Sequence, residues 1–147
     1  RKYQPEIVLC NAVHDRHIDH GKGSKLVSDA CFLSGLRRIE THANGEAQKA
    51  WRPTAVYHYI QWYNIEPDFV VAVSQEDMDI RLKAIMAYSS QFFDPNSSEP
   101  TTPIATKNFL DSLTYRLQDL GRLVNADYAE GFTKERPLAV NYLEDLL

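Results

Sequence analysis

The stretch "HDRHIDH", residues 14 to 20, holds three histidines and two aspartates within seven positions. It follows directly on the apolar run "EIVLC". Neutral imidazole is a common ligand for zinc and other divalent ions, and a nearby carboxylate either ligates or fixes the imidazole tautomer by a hydrogen bond. His17 and His20, with Asp19 between them, form H-x-D-H. In an irregular loop the two rings can converge on one centre while the aspartate turns back to brace one of them. A single local segment cannot easily supply a whole catalytic metal site, so further ligands are expected from elsewhere. A histidine-rich loop that is merely solvated fits the same spacing, because short motifs of this kind recur by chance. His42, in a polar turn, and His58, inside "AVYHYI", are weaker candidates, and His58 is expected to be a strand residue with a satisfied hydrogen bond.

The elements around this loop define where it sits. "PEIVLC" is a short continuous apolar run, as expected of a central parallel strand covered on both faces. The polar loop 11–23 follows, and the apolar spacing from residue 26 to 36 predicts a helix with Ser24 as its cap and Gly35 near its end. Asn44-Gly45 marks a turn, and "AVYHYI" and "FVVAV" are β-rich. Ser74 with Asp77 three residues on announces a second helix, and Phe109, Leu110, Leu113, Leu117 and Leu120 pattern a third. Between these helices "DPNSSEPTTP" is long enough for a functional loop, while "YAEGF" and "LAVNYL" close the chain as short extended pieces. Alternation of strands and helices predicts an α/β fold, Rossmann-like, with a mostly parallel sheet and flanking helices. Ligands in such sheets bind beyond the carboxyl ends of the strands, which is where the histidine loop lies.

Composition narrows the partners. The chain has 147 residues, 16 basic against 20 acidic, for a formal charge of −4. No basic block or stripe is present, so neither nucleic acid nor an anionic membrane surface is an expected partner. Cys10 and Cys31 sit in apolar surroundings and are expected to be reduced core thiols of a cytoplasmic protein. "GKGSK" lacks the spacing of a phosphate-cradling loop, and Ser89-Ser90 lacks the glycine-flanked elbow of a serine hydrolase.

Five separated blocks, "PEIVLCNAVHDRHIDHGKGSKLVSDACFLSGLRRIET", "AWRPTAVYHYIQ", "PDFVVAV", "LKAIMAYSSQF" and "YAEGF", together resemble the PIG-L/LmbE-type zinc-dependent N-acetylglucosamine deacetylases. The nearest branch is the one acting on N-acetylglucosaminyl-malate in bacillithiol biosynthesis. By this resemblance His20 is a metal ligand, for Zn2+ or another divalent ion. His17 is the catalytic histidine that stabilises the oxyanion or protonates the leaving amine, and Asp19 orients and charges it. Arg52 of "AWRP" is implied in substrate binding, and Arg16 is a further anchor at the rim. Ile18 stands where the family usually has proline. The family's first motif, H-P-D-D, carries two more ligands and the general base; it does not occur in residues 1 to 147. The chain is therefore expected to be the C-terminal part of a single LmbE-like domain whose first strands are missing. The resemblance also implies a small sugar conjugate as substrate and a homo-oligomer, trimeric or hexameric. Two alternatives stand beside it: a deacetylase for another N-acetylglucosamine conjugate or chitin fragment, and a metal-free module of the same fold.

Overall fold

The computed structural model describes residues 1–96, 98 and 100–146. It forms two compact units: the first comprises residues 1–68 and 132–147, the second residues 69–131.

In the first unit, strand β1 (Ile7–Cys10) leads into helix α1 (Ile18–Ser34). A two-residue hairpin follows, β2 (His42–Ala43) and β3 (Glu46–Ala47), and then β4 (Ala55–Tyr59). β1 and β4 pair in parallel from Ile7 opposite Ala55 to Cys10 opposite His58. Tyr57, His58 and Tyr59 pair antiparallel with Lys134, Thr133 and Phe132 at the end of β6 (Tyr128–Lys134). The expected α/β fold with flanking helices is present, its sheet combining the parallel β1–β4 pair with the antiparallel β4–β6 pair. The hairpin turns at Asn44 and Gly45, whose φ values of 54° and 83° are the left-handed pair a two-residue turn demands.

Two expectations about the first unit need correction. β1 ends the strand order instead of lying centrally, and its outward residues Ile7 and Leu9 are each 58% exposed. The helix begins six residues before Ser24. His17 is its cap, with Nδ1 accepting from the backbone N–H of Asp19. Glycine does not stop this start, because the loop packs on it: a Cβ on Gly23 would lie 3.1 Å from Asn11 Oδ1. Ser24, freed from capping, is buried with its Oγ 2.9 Å from His58 Nδ1. At the far end of α1, Arg1 donates to the carbonyls of Ser34, Leu36 and Ile39, so a cation satisfies acceptors that the helix C-terminus leaves open.

In the second unit, β5 (Phe69–Val73) neighbours β6, and helices α2 (Gln75–Met86) and α3 (Lys107–Arg122) complete it. Ser74 and Asp77 form the expected capping box of α2, and Thr106 caps α3. Met78, Leu117 and Ala129 are buried as its core. Gly121 lets the end of α3 meet β6, since a Cβ there would stand 2.6 Å from Ala126 O and 2.8 Å from Tyr128 N. The segment 94–103 includes positions 97 and 99, which are outside the described residues. "LAVNYL" forms no strand; a short 3₁₀ turn, Leu143–Leu146, begins at its last residue. Among the described residues no helix is long and apolar enough to cross a membrane.

Candidate functional site

β1 and β4 run parallel, so the loops leaving their carboxyl ends, 11–17 and 60–63, emerge side by side. They are joined along their length. Ala12 N and Asn11 Nδ2 donate to Gln61 Oε1 at 3.2 and 3.1 Å. The backbone N–H groups of Trp62 and Tyr63 donate to the Asp15 carboxylate. His14 stacks on Tyr63 with ring centroids 5.2 Å apart, and the Arg16 guanidinium lies 4.6 Å over the Trp62 ring. The rigidity of the histidine loop therefore comes from its neighbour in space.

Asp15 is the centre of this arrangement. Its side chain is 0% exposed and takes His20 Nδ1 on Oδ2 at 2.7 Å. Its Oδ1 receives the N–H of Arg16 at 2.7 Å, of Trp62 at 3.2 Å and of Tyr63 at 3.3 Å. Burial alone would push its carboxyl up. The bonds from His20, Arg16, Trp62 and Tyr63 outweigh burial and hold it below the ordinary 3.8. An ionised carboxylate only accepts, so Nδ1 of His20 carries a proton, and in the neutral ring the lone pair is on Nε2. This is the tautomer and bracing that a metal-binding imidazole requires.

His17 and His20 do come together, with ring centroids 5.3 Å apart. His17 is the more open of the two, its side chain 55% exposed. Asp19 reaches it in two ways: its backbone N–H donates to Nδ1 at 3.3 Å, and its carboxylate oxygen lies 3.6 Å from the same nitrogen. Nδ1 cannot accept from the first and donate to the second at once. Protonating His17 therefore exchanges the helix cap for an ion pair. Arg16 stands at the same mouth. Arg52 does not: its guanidinium donates to Phe32 O at 2.9 Å and covers the Phe32 ring at 4.3 Å. Phe32 lies twelve residues beyond His20 in α1, about 18 Å of helix rise. There Arg52 lines a separate cleft of about 720 Å3 with Cys31, Tyr57, Glu135 and Arg136.

His58 is buried, as expected of a satisfied strand histidine. Nδ1 lies 2.9 Å from Asn11 O, and Nε2 lies 3.2 Å from Glu135 Oε1. Asp15 and Gln61 are site residues that the spacing argument missed. Asp15 was visible only as one of two aspartates near the histidines, and nothing local marks Gln61.

His20 has the donor chemistry for a divalent cation. The count is short, since among the described residues no group of three His, Cys, Asp or Glu side chains could hold a metal ion.

No family model matches the chain. Two solved structures share its fold. The conserved protein TT1542 from Thermus thermophilus is 26% identical with a TM-score of 0.76, over 97% of this chain and 56% of that one. The N,N'-diacetylchitobiose deacetylase from Pyrococcus horikoshii, solved with its inhibitor MPG, is 20% identical with a TM-score of 0.66, over 100% of this chain and 52% of that one. The chain thus has the α/β fold of these two proteins and spans about half the length of each.

Proposed function

We propose that the full-length protein is a metal-dependent deacetylase that hydrolyses the acetamide of an N-acetylglucosaminyl conjugate. The observation that carries this reading is the Asp15–His20 contact at 2.7 Å, which braces Nδ1 of His20 in the first turn of α1, beside the loops that leave the carboxyl ends of β1 and β4. The fold shared with a diacetylchitobiose deacetylase supports it. Remaining cation donors and the general base would come from the H-P-D-D motif, outside residues 1 to 147. A divalent ion, Zn2+ first, supplies polarisation of the acyl carbonyl and an acidified water when bound.

This chain's own groups would act around that chemistry. His17, as imidazolium, offers positive charge to the developing oxyanion. As the C–N bond breaks, the same ring gives its proton to the departing amine nitrogen, so free amine and acetate result. Asp19, 3.6 Å from Nδ1, serves as counter-ion while the proton is held. Arg16 at the mouth suits an anionic aglycone, because guanidinium grips a carboxylate by two parallel bonds. That favours N-acetylglucosaminyl-malate as substrate. N,N'-diacetylchitobiose is the second candidate, on the strength of the structural neighbour's own substrate. A cytoplasmic trimer or hexamer belongs to the same proposal.

The test is to incubate full-length protein with Zn2+ and each of the two compounds and to assay free amine by mass spectrometry. Deacetylation of the malate conjugate well ahead of the disaccharide is expected. Intact substrates together with no cation bound at His20 would overturn the reading.

A further inference from the structure

Arg1, Arg52 and Arg136 each spend guanidinium N–H groups on backbone carbonyls, those of Ser34, Phe32 and Thr54 among them. Arg16 does not. Its exposed side chain lies 4.6 Å over the Trp62 ring, and among the described residues no oxygen accepts from its guanidinium. One buried group holds both ends of this stack. The backbone N–H of Arg16 donates to Asp15 Oδ1 at 2.7 Å, and that of Trp62 lies 3.2 Å from both Asp15 oxygens. Both residues are thus pinned to the same carboxylate, and the half-buried indole is a fixed seat for the guanidinium. The N–H groups of a guanidinium all lie in its plane. A ring face covering one side of that plane leaves the N–H edges directed outward, on the residue that precedes His17.

We propose that Trp62 is a positioning residue that sets selectivity for a carboxylate-bearing substrate by presenting the Arg16 guanidinium edge-on. An arginine on an open surface samples many rotamers, and gripping a carboxylate costs that freedom. Stacking on the indole removes part of the cost before the ligand arrives. An aliphatic side chain at position 62 would leave the same charge in place without its direction. Neither nearby carboxylate competes for the guanidinium: Asp15 is taken up by His20 and backbone N–H groups, and Asp19 stands beside His17. The site rests on the reading of Arg16 as the anchor of an anionic aglycone, but carboxylate binding there can be measured without turnover.

Calorimetric titration of full-length protein with L-malate reads the site, with dimethyl malate as the uncharged control. Wild type should bind malate and not the ester. Arg16→Met should weaken malate binding about tenfold or more, the worth of hydrogen bonds to a charged group. Trp62→Leu keeps the backbone bond to Asp15 and should weaken it about two- to fivefold, as expected of one exposed cation–π contact. Trp62→Phe restores a ring face and should recover most of that loss, which sets a lost stack apart from a disturbed loop. Adding Trp62→Leu to Arg16→Met should cost nothing further, because the indole acts only through the guanidinium. The proposal is overturned if wild type binds no malate, if Trp62→Leu binds it unchanged, if Trp62→Phe loses as much as Trp62→Leu, or if the double variant loses more than Arg16→Met. Deacetylation is assayed separately on the same proteins. Turnover with malate affinity indifferent to residue 62 removes this role of Trp62 and leaves the deacetylase reading standing. Malate affinity that follows the ring at 62, in a protein that leaves both sugar substrates intact, removes the deacetylase reading and keeps the Arg16–Trp62 site.

Discussion

Replacing Asp15 by Asn changes one atom and should invert the chemistry of His20. The backbone N–H groups of Arg16 and Tyr63 converge on Oδ1, that of Trp62 is shared at 3.2 Å between Oδ1 and Oδ2, and His20 Nδ1 meets Oδ2. The new amide will keep its carbonyl oxygen at Oδ1, where the Arg16 and Tyr63 N–H groups and a share of the Trp62 N–H demand an acceptor. Its NH2 then faces Nδ1, which must become the acceptor, and the ring proton moves to Nε2. Holding the original tautomer against that NH2 forfeits a hydrogen bond to a charged group, about 1.5–3 kcal/mol. At 1.4 kcal/mol per decade that is roughly 10- to 150-fold in cation affinity, in line with the ten- to hundredfold typical for partners of a ligating histidine. The assay is Zn2+ titration of full-length wild-type and Asp15→Asn proteins, with His20 ring correlations recorded on the metal-free samples. Retention of the Nδ1–H tautomer with wild-type affinity would refute the reasoning. The same carboxylate predicts a pH effect. Its folded-state pKa lies below the unfolded 3.8, so on acidification the unfolded chain takes up this proton first. The stabilisation it gives is complete above about pH 4 and is lost as pH falls below that. Asp15→Asn should lack this part of the acid sensitivity.

His58→Leu should destabilise by about 2–4 kcal/mol, because it strands Asn11 O, Ser24 Oγ and Glu135 around an apolar side chain; urea denaturation measures it. Gly121→Ala should cost about 1–3 kcal/mol, since the added methyl meets immovable backbone at Ala126 and Tyr128. Burial pushes the Cys10 thiol up to about 11, with Glu135 and Cys31 adding to it, so the native protein should leave Cys10 unlabelled by a thiol reagent at pH 8 until urea unfolds it. Arg52→Ala should lower Tm by removing the bond to Phe32 O and the cover on its ring, yet leave Zn2+ affinity within twofold of wild type; a tenfold loss would contradict the separation of Arg52 from His20.

The elements were legible wherever the signal is local. Ser74 with Asp77 announced α2, and the leucine spacing announced α3, because capping and amphipathic burial act within a few residues. Asn44-Gly45 announced its turn for the same reason. The start of α1 was illegible because two glycines stand in its first turns, where intrinsic preference opposes helix. What overrides that preference is tertiary: Asn11 packs against Gly23, and His17 supplies the cap. Ser24 resembles a cap by residue type, but it is drawn inward by His58, 34 residues away. Order within the sheet was equally hidden. A continuous apolar run signals contact with other elements without saying on which edges.

The site divides along the same line. His17 and His20, three apart, could converge on one centre, and their rings do lie 5.3 Å apart. Which aspartate braces which histidine could not be read from spacing, since Asp15 and Asp19 both lie within reach of the rings. The choice is made by the loop after β4, whose backbone N–H groups at Trp62 and Tyr63 charge-balance Asp15 inside the protein. Among the described residues Asp19 has no such backbone donors, and it stays exposed beside His17. A carboxylate with no exposure and four N–H donors is permanently ionised near neutrality, which suits a fixed brace. A solvated carboxylate next to an open imidazole can follow a proton on and off, which suits an acid. The two histidines thus differ in surroundings, as the roles proposed for them require, because Trp62 and Tyr63 sequester one aspartate and leave the other in water. Exchanging the roles would require moving the β4 loop rather than changing either histidine.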